Sequence, residues 1–233
     1  MSFDTDVLIV GSGAAGLTLA IDLARRGVSF CLIEQNAQPF RGSRGKGIQP
    51  RTLEIFEDLG FVNRVAAAGG PYPPLCQYRP DGTHTVSLLT ETEAFPTPAE
   101  PYAAPLMLPQ FATEAVMRER LAELGHHPCF SARLASFEQD CHGVTAQIEQ
   151  ETGKHVIRAR FLVGTDGGRS FVRHALAIDF PGETLGVRAI VADVRLEGLE
   201  RVDWHHFQLG SPETQVMICP LAGTDLFQIQ APV

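Results

Sequence analysis

The chain has 233 residues, 44% of them hydrophobic and 20% charged, with 19 Lys and Arg against 27 Asp and Glu for a net charge of −8. That size and apolar content suffice for one large or two small globular domains. The acidic balance leaves no basic surplus for nucleic-acid phosphates or an anionic membrane surface, so a small-molecule partner is the class left standing.

The chain opens Met1-Ser2-Phe3-Asp4-Thr5-Asp6, without the basic region and cleavage site of a secretory signal. No apolar run reaches the roughly 18 residues that a transmembrane helix needs. Cys31, Cys76, Cys129, Cys141 and Cys219 are scattered and form no CxxC pair. That spacing fits reduced thiols in a cytoplasmic protein better than a disulfide framework or a zinc site.

Asp6 to Val10 is a short apolar run that predicts a strand buried on both faces. A glycine turn follows, and then Leu17, Ala20, Ile21 and Ala24 recur with helical spacing over Ala14 to Arg26, closed by Gly27. Val28 to Glu34 predicts the second strand. Pro39 to Gly47 is a loop rich in Gly and Arg, and Pro50 suits the first turn of a helix running to Leu59, ended by Gly60. Gly69 to Pro74 breaks the pattern. The Pro-rich stretch to Pro109, with a β-prone run at Thr83 to Leu89, is expected to form an inserted sheet or lid. Gln110 to Leu124 predicts a helix. Arg133 to Glu138, Val144 to Glu149 and His155 to Val163 predict strands with hairpin turns at Gly143 and at Thr152-Gly153. From Leu185 onward further strands are expected, bounded by Gly198, Gly210-Ser211-Pro212 and Gly223, with a last one over Leu226 to Val233.

Gly11-Ser12-Gly13-Ala14-Ala15-Gly16 is a GxGxxG turn in the context that gives the pattern meaning: after a buried strand, opening a helix, with Glu34 ending the next strand. Gly11 permits the tight turn, Gly13 lets backbone approach a pyrophosphate, and Gly16 allows close packing of helix on strand. The helix N-terminus attracts the pyrophosphate. Glu34, followed by Gln35, can accept from ribose hydroxyls and repels a 2′-phosphate, which argues against NADP at this site. The alternative is a glycine turn without a ligand. The turn alone does not separate NAD from FAD.

Three ordered blocks resemble the FAD-dependent aromatic hydroxylases, flavoprotein monooxygenases of the para-hydroxybenzoate hydroxylase type. They are Asp6 to Glu34, Arg41-Gly42-Ser43-Arg44-Gly45-Lys46-Gly47-Ile48-Gln49-Pro50-Arg51, and Leu162-Val163-Gly164-Thr165-Asp166-Gly167-Gly168-Arg169-Ser170 through Arg173. The resemblance spans about residues 4 to 232. It implies an α/β, Rossmann-like FAD/NAD(P)-binding fold of the glutathione-reductase type with a β-rich substrate-side sheet. The implied division is an FAD domain over 1–70 and 104–180 and a substrate-side domain over 71–103 and 181–233. It also implies that Arg44, with Arg41 in the same loop, approaches the FAD pyrophosphate. Gln110 and the Asp166-Gly167 block meet the pyrophosphate and ribityl chain, and Leu134 lies where the family's backbone meets adenine. NAD(P)H is the implied electron donor, O2 and an aromatic compound the substrates, and a flavin hydroperoxide the hydroxylating agent. Read alone, the arginines make a solvated loop, Asp166 or Ser170 caps a short helix, and Leu134 is core.

No catalytic residue is assigned. His205 and His206, beside Trp204, are expected to point to opposite faces of a strand and to be structural. The family's second Gly-Asp block, of the kind Gly-Asp-Ala-Ala-His, is absent. A truncated form that binds FAD weakly and self-associates is therefore expected. The alternatives are a non-catalytic dinucleotide-binding fragment or another flavoprotein of the superfamily, such as a halogenase, epoxidase or reductase. The halogenase Trp-x-Trp motif is missing, since Trp204 is the sole tryptophan.

Overall fold

The structure, a computed structural model, describes residues 3–89, 95–184, 186–211 and 214–233. Met1, Ser2, Leu185 and Pro212, which figure in the expectations above, lie outside the described residues. The chain divides into two compact units, Met1–Phe40 with Glu114–Pro181 and Arg41–Thr113 with Gly182–Val233.

In the first unit, β1 (Thr5–Val10) is the predicted apolar run, buried along nearly its whole length. α1 (Ala14–Arg25) buries Gly16, Leu17, Ala20 and Ile21 on one face and ends before Gly27, whose φ of +67° lies in the left-handed region that favours glycine. β2 (Phe30–Ile33) pairs parallel with β1. After the body of α4 (Gln110–Glu123) come β7 (Arg133–Gln139), β8 (Val144–Gln150) and β9 (Gly153–Gly164). α5 (Phe171–Ala175) follows. The sheet order is β2-β1-β9-β8-β7. β9 serves two ladders: Gly153 to Ala159 run antiparallel to β8, and Ala159 to Gly164 run parallel to β1. Its length therefore brings Thr165 and Asp166 to the carboxyl end of β1, where Thr165 N donates to Val10 O at 2.8 Å. Leu8, Val10, Ile33, Leu134, Ile148 and Val172 fill the core beneath, each such side chain contributing roughly 1.5–3 kcal/mol of transfer free energy.

The second unit begins with the arginine loop and β3 (Gly47–Ile48), which pairs antiparallel with β6 (Leu106–Met107). Gly70 exchanges two backbone hydrogen bonds with Met107. Lys46 and Ser43 both bond Gln228, and residues 41–70 and 104–113 group with the second unit, whereas the sequence-based division put them with the first. α2 (Pro50–Asp58) starts at its proline and stops before Gly60. α3 (Val62–Ala68), which has no counterpart among the predicted elements, buries Val62 and Val65. β4 (Leu75–Tyr78) and β5 (His84–Ser87) form a hairpin, joined by β10 (Ala189–Val194), β11 (Trp204–Phe207), β12 (Val216–Pro220) and β13 (Phe227–Pro232). The order is β10-β13-β12-β11-β4-β5, so the Pro-rich segment supplies the last two strands at one end of a single sheet instead of a separate insertion. β4 runs parallel to β11, a pairing that fixes which face each residue takes. His205 bonds Tyr78 Oη and Glu200 O, both at 2.9 Å, while His206 meets Gln77 and Gln215. The two histidines do point to opposite faces, each held by neighbours.

Candidate dinucleotide site

The glycine turn sits where β1 and β9 end side by side. Gly11 has φ +102°, and a Cβ there would lie 2.5 Å from Thr165 O and 2.9 Å from Asp166 Cα. A Cβ at Gly16 would collide with Gly11 O and stand 2.8 Å from Thr165 Oγ1. Thr165 Oγ1 itself donates to Val10 O and Gly11 O at 2.9 and 2.8 Å. Gly13 differs: its φ is −71°, and the nearest atom to a Cβ is Glu114 Oε1 at 3.9 Å. Protein packing thus demands glycine at 11 and 16 and leaves open space at 13. That is the space a pyrophosphate needs over the amides that open α1, which has no side-chain cap and no acid in its first turn.

Glu34 closes one side of the turn. Its Oε2 accepts from Ser12 N (3.0 Å) and Ser12 Oγ (3.3 Å), and its Oε1 from Asn36 N (3.0 Å) and Asn36 Nδ2 (2.7 Å). Asp166 closes the other. Its Oδ2 accepts from Phe171 N (2.7 Å) and Val172 N (3.2 Å), and its Oδ1 from Ser170 Oγ (2.6 Å). Ser170 Oγ in turn accepts from Arg173 N. Asp166 and Ser170 therefore cap α5 jointly.

Gly11, Gly13, Glu34, Gln35, Leu134, Asp166 and Gly167 line one cavity of about 270 Å³, joined by Asn36, Thr165 and Arg169. The open space at Gly13, the uncapped amides of α1 and this cavity fit the ADP part of a dinucleotide. Ser12, Ala14 and Ala15 lie on the turn and the first turn of α1, and Gly16 is packed beneath them. Arg41, Arg44 and Gln110 belong to the second unit. There Gln110 N donates to Gly45 O (2.9 Å) and to Ser43 Oγ (3.1 Å), and Arg44 N meets Gln110 Oε1 at 3.3 Å, so the loop is fastened to the start of α4. Four residues at the site were not among the expected contacts: Asn36 and Glu114, which lie in no motif, and Thr165 and Arg169, which lie in the third block without an assigned role. Glu114, only 3% exposed, faces Gly13 and pairs with Arg118 at 3.9 Å. Its signal in the sequence was an acid and an arginine four apart on a helix. A larger open groove of about 820 Å³ near Phe3, Asp140 and Phe161 lies at the amino end of β1 and has no glycine turn of this kind.

The fold and this turn define a dinucleotide-binding α/β unit. Residues 4–232 match the family described as FAD binding domain, and the chain belongs to that family. It is 36% identical over 200 residues to a flavin-dependent monooxygenase of Mycobacteroides abscessus, covering 83% of this chain and 42% of that protein. It is 34% identical over 190 residues to the 12-dehydrotetracycline 5-monooxygenase/anhydrotetracycline 6-monooxygenase of Streptomyces rimosus, covering 82% and 36%. Among solved structures it resembles the flavin-dependent monooxygenase PieE in complex with FAD and substrate, with TM-score 0.85 and 27% identity over all of this chain and 44% of that one. A ternary complex of aklavinone-11 hydroxylase with FAD and aklavinone gives TM-score 0.80 and 28% identity, covering 46% of that chain. The chain thus spans less than half the length of these relatives. No helix among the described residues is long and apolar enough to cross a membrane.

Proposed function

We propose that the chain is the FAD-binding portion of a flavin-dependent monooxygenase that hydroxylates an aromatic compound, with NAD(P)H as electron donor and O2 as co-substrate. The observation that carries this reading is the convergence of Gly11, Gly13, Glu34, Leu134 and Asp166 on one cavity. Bound FAD would supply the redox chemistry and the oxygen transfer; the protein supplies position and charge.

In this reading the amides of Ala14 and Ala15 hold the pyrophosphate over the open space at Gly13, while Ser12, its amide bonded to Glu34, keeps the turn in place. Glu34, beside Gln35, orients the ribose, and Leu134 packs on the adenine side. Asp166 and Gly167 meet the pyrophosphate and ribityl chain, while Arg41, Arg44 and Gln110 supply the cofactor contacts of the second unit. That unit carries the substrate-side sheet. The relatives' names support an aromatic substrate.

The test is reconstitution of the full chain with FAD. FAD should bind weakly in equilibrium titration, with part of the flavin lost on desalting, and oxidation of NADH or NADPH should rise when an aromatic effector is added. A chain that shows no FAD binding at equilibrium overturns the reading. Flavin retained without any NAD(P)H oxidation overturns its catalytic half and leaves a binding module. Sizing of the same sample tests self-association.

A further inference from the structure

Residues directly opposite one another on paired strands share a face of the sheet. Asp193 stands opposite Gln228 and Gln228 opposite Cys219. His205 stands opposite Ile218, so its neighbour Trp204 falls beside Cys219. Asp193, Gln228, Cys219 and Trp204 therefore form a row across β10, β13, β12 and β11. Lys46, from the loop before β3, lies over this row at only 8% exposure. Its Nζ donates to Gln228 Oε1 at 2.8 Å and stands 4.4 Å from the centre of the Trp204 ring.

Gln228 is fully used. Its Oε1 also accepts from Gln230 Nε2 at 2.7 Å, and its Nε2 donates to Ser43 O at 2.7 Å and Asp193 Oδ1 at 3.3 Å. Its neighbours are not. The buried Trp204 Nε1 has no acceptor and the buried Asp193 Oδ2 no donor among the described residues. Lys46 has three N–H groups, of which one meets Gln228. Folded proteins pair roughly nine in ten or more of their buried polar atoms, so an orphaned one needs an explanation, and a water, ion or ligand from outside the chain is one. Burial pulls the Lys46 pKa below the ordinary lysine value, opposed by Cys219 and Asp193 beside it.

We propose that Lys46 is a specificity-determining residue of the substrate side, where its ammonium and Trp204 Nε1 donate to an anionic oxygen carried by an aromatic ring. Two donors, one of them charged, stand beside an indole face; that combination suits a flat ring bearing an oxyanion, either a phenolate or a ring carboxylate. Asp193, on the same row, tempers the cation and limits the affinity. The proposal rests on the reading of the chain as part of an aromatic monooxygenase, and it is tested without FAD.

Trp204 is the only tryptophan, so its fluorescence reports on this row directly. The full-length chain, free of flavin, is titrated with 4-nitrophenol above its ionisation pH, with benzoate, and with neutral benzamide. At least one anion should bind about tenfold or more tightly than benzamide, the gain expected from one charge-assisted hydrogen bond. Preference for nitrophenolate alone or benzoate alone identifies the source of the oxyanion. Lys46→Gln should abolish the preference while benzamide binding stays as it was, Lys46→Arg should retain it, and Asp193→Asn should tighten the anion several-fold. Equal binding of benzamide and both anions overturns the proposal, as does a folded Lys46→Gln protein that keeps the preference. If Lys46→Gln does not fold, Asp193→Asn decides: unchanged anion affinity overturns the proposal. Flavin binding without anion preference refutes only this inference, and anion preference without flavin binding refutes only the functional reading above.

Discussion

Alanine at Gly11 and at Gly13 should separate what the turn does for the fold from what it does for a ligand. At Gly11 an added methyl meets Thr165 O at 2.5 Å and Asp166 Cα at 2.9 Å, with φ at +102°. The conformation costs an L-residue about 1–2 kcal/mol. The overlap is with backbone, which has no rotamer to yield, and overpacking of that kind costs about 1–3 kcal/mol more. The sum is roughly 2–5 kcal/mol, and at about 2–4 °C per kcal/mol for a chain of this size the melting temperature should fall by roughly 4–20 °C. At Gly13 the methyl meets nothing nearer than 3.9 Å and φ is −71°. The gain from a less flexible unfolded chain, about 0.4–1 kcal/mol, offsets the poorer N-cap, so stability should hardly move. The same methyl would stand in the phosphate's place. Loss of one or more charge-assisted hydrogen bonds should weaken FAD by about ten- to a hundredfold. Thermal melting by circular dichroism and titration with FAD give the two numbers. A Gly13→Ala protein that binds FAD like the parent refutes the assignment of the turn, and one that melts as low as Gly11→Ala refutes the packing argument.

Glu34→Gln sets an amide donor against the donors of Ser12 and Asn36, so it should cost roughly 1–3 kcal/mol in melting experiments and weaken FAD as well. Asn36→Ala removes only a competitor for Oε1, and FAD affinity by equilibrium titration should not fall. Asp166→Ala strips the cap from α5, at a cost of about 0.5–2 kcal/mol, and should also weaken flavin retention on desalting. The hydrogen bond from Arg158 holds the Asp140 carboxyl down at about 2, against an ordinary value of 3.8. A depressed pKa stabilises the fold above the ordinary value and ceases to do so as pH falls toward 2. The melting difference between the parent and Asp140→Asn should therefore shrink between about pH 4 and 2; a constant difference would refute the ion pair. Burial pushes the Cys219 thiol up to about 12 against the pull of Lys46 and Arg201. With a thiol reagent, exposed Cys141 should react first, and Cys76 and Cys219 only on unfolding.

The β1–turn–α1–β2 segment was legible because each signal is local: a buried run, a glycine turn, a helical period and a terminal acid. The capping of α5 was legible as one reading of that block, since serine is a preferred N-cap that accepts from the amide three residues on, as Ser170 does from Arg173 N; the second acceptor, Asp166, was legible only as an alternative cap. The parallel pairing of β4 with β11 was not, because nothing in Leu75–Tyr78 points to Trp204–Phe207. The grouping of residues 41–70 with the second unit was not legible either, since it goes with long-range bonds such as Lys46–Gln228 and Gln228–Ser43. α3 is too short for its period to stand out. Lys46 and Gln228 are single polar residues whose meeting depends on strand register. The one available clue was the alternation Phe227-Gln228-Ile229-Gln230, which sets both glutamines on one face.

The acids at this site have two tasks, and the first makes the second measurable only with care. Glu34 has four acceptor positions, and all four are engaged. Two of its donors are backbone amides fixed by the chain, and two are the side chains of Ser12 and Asn36, which can turn away. A ribose diol therefore binds Glu34 by exchange, hydroxyl for hydroxyl or hydroxyl for amide, and the carboxylate need not be stripped of water when the ligand arrives. The same bonds hold Ser12 N, and with it the glycine turn, in place beforehand, so part of the ordering cost of binding is already met by the fold. Thr165 does likewise through Val10 O and Gly11 O. Any substitution of Glu34, Thr165 or Asp166 will thus lower stability and affinity together. Of the turn's three motif glycines, only Gly13, where the protein itself leaves the space open, isolates the part of the affinity that belongs to the phosphate.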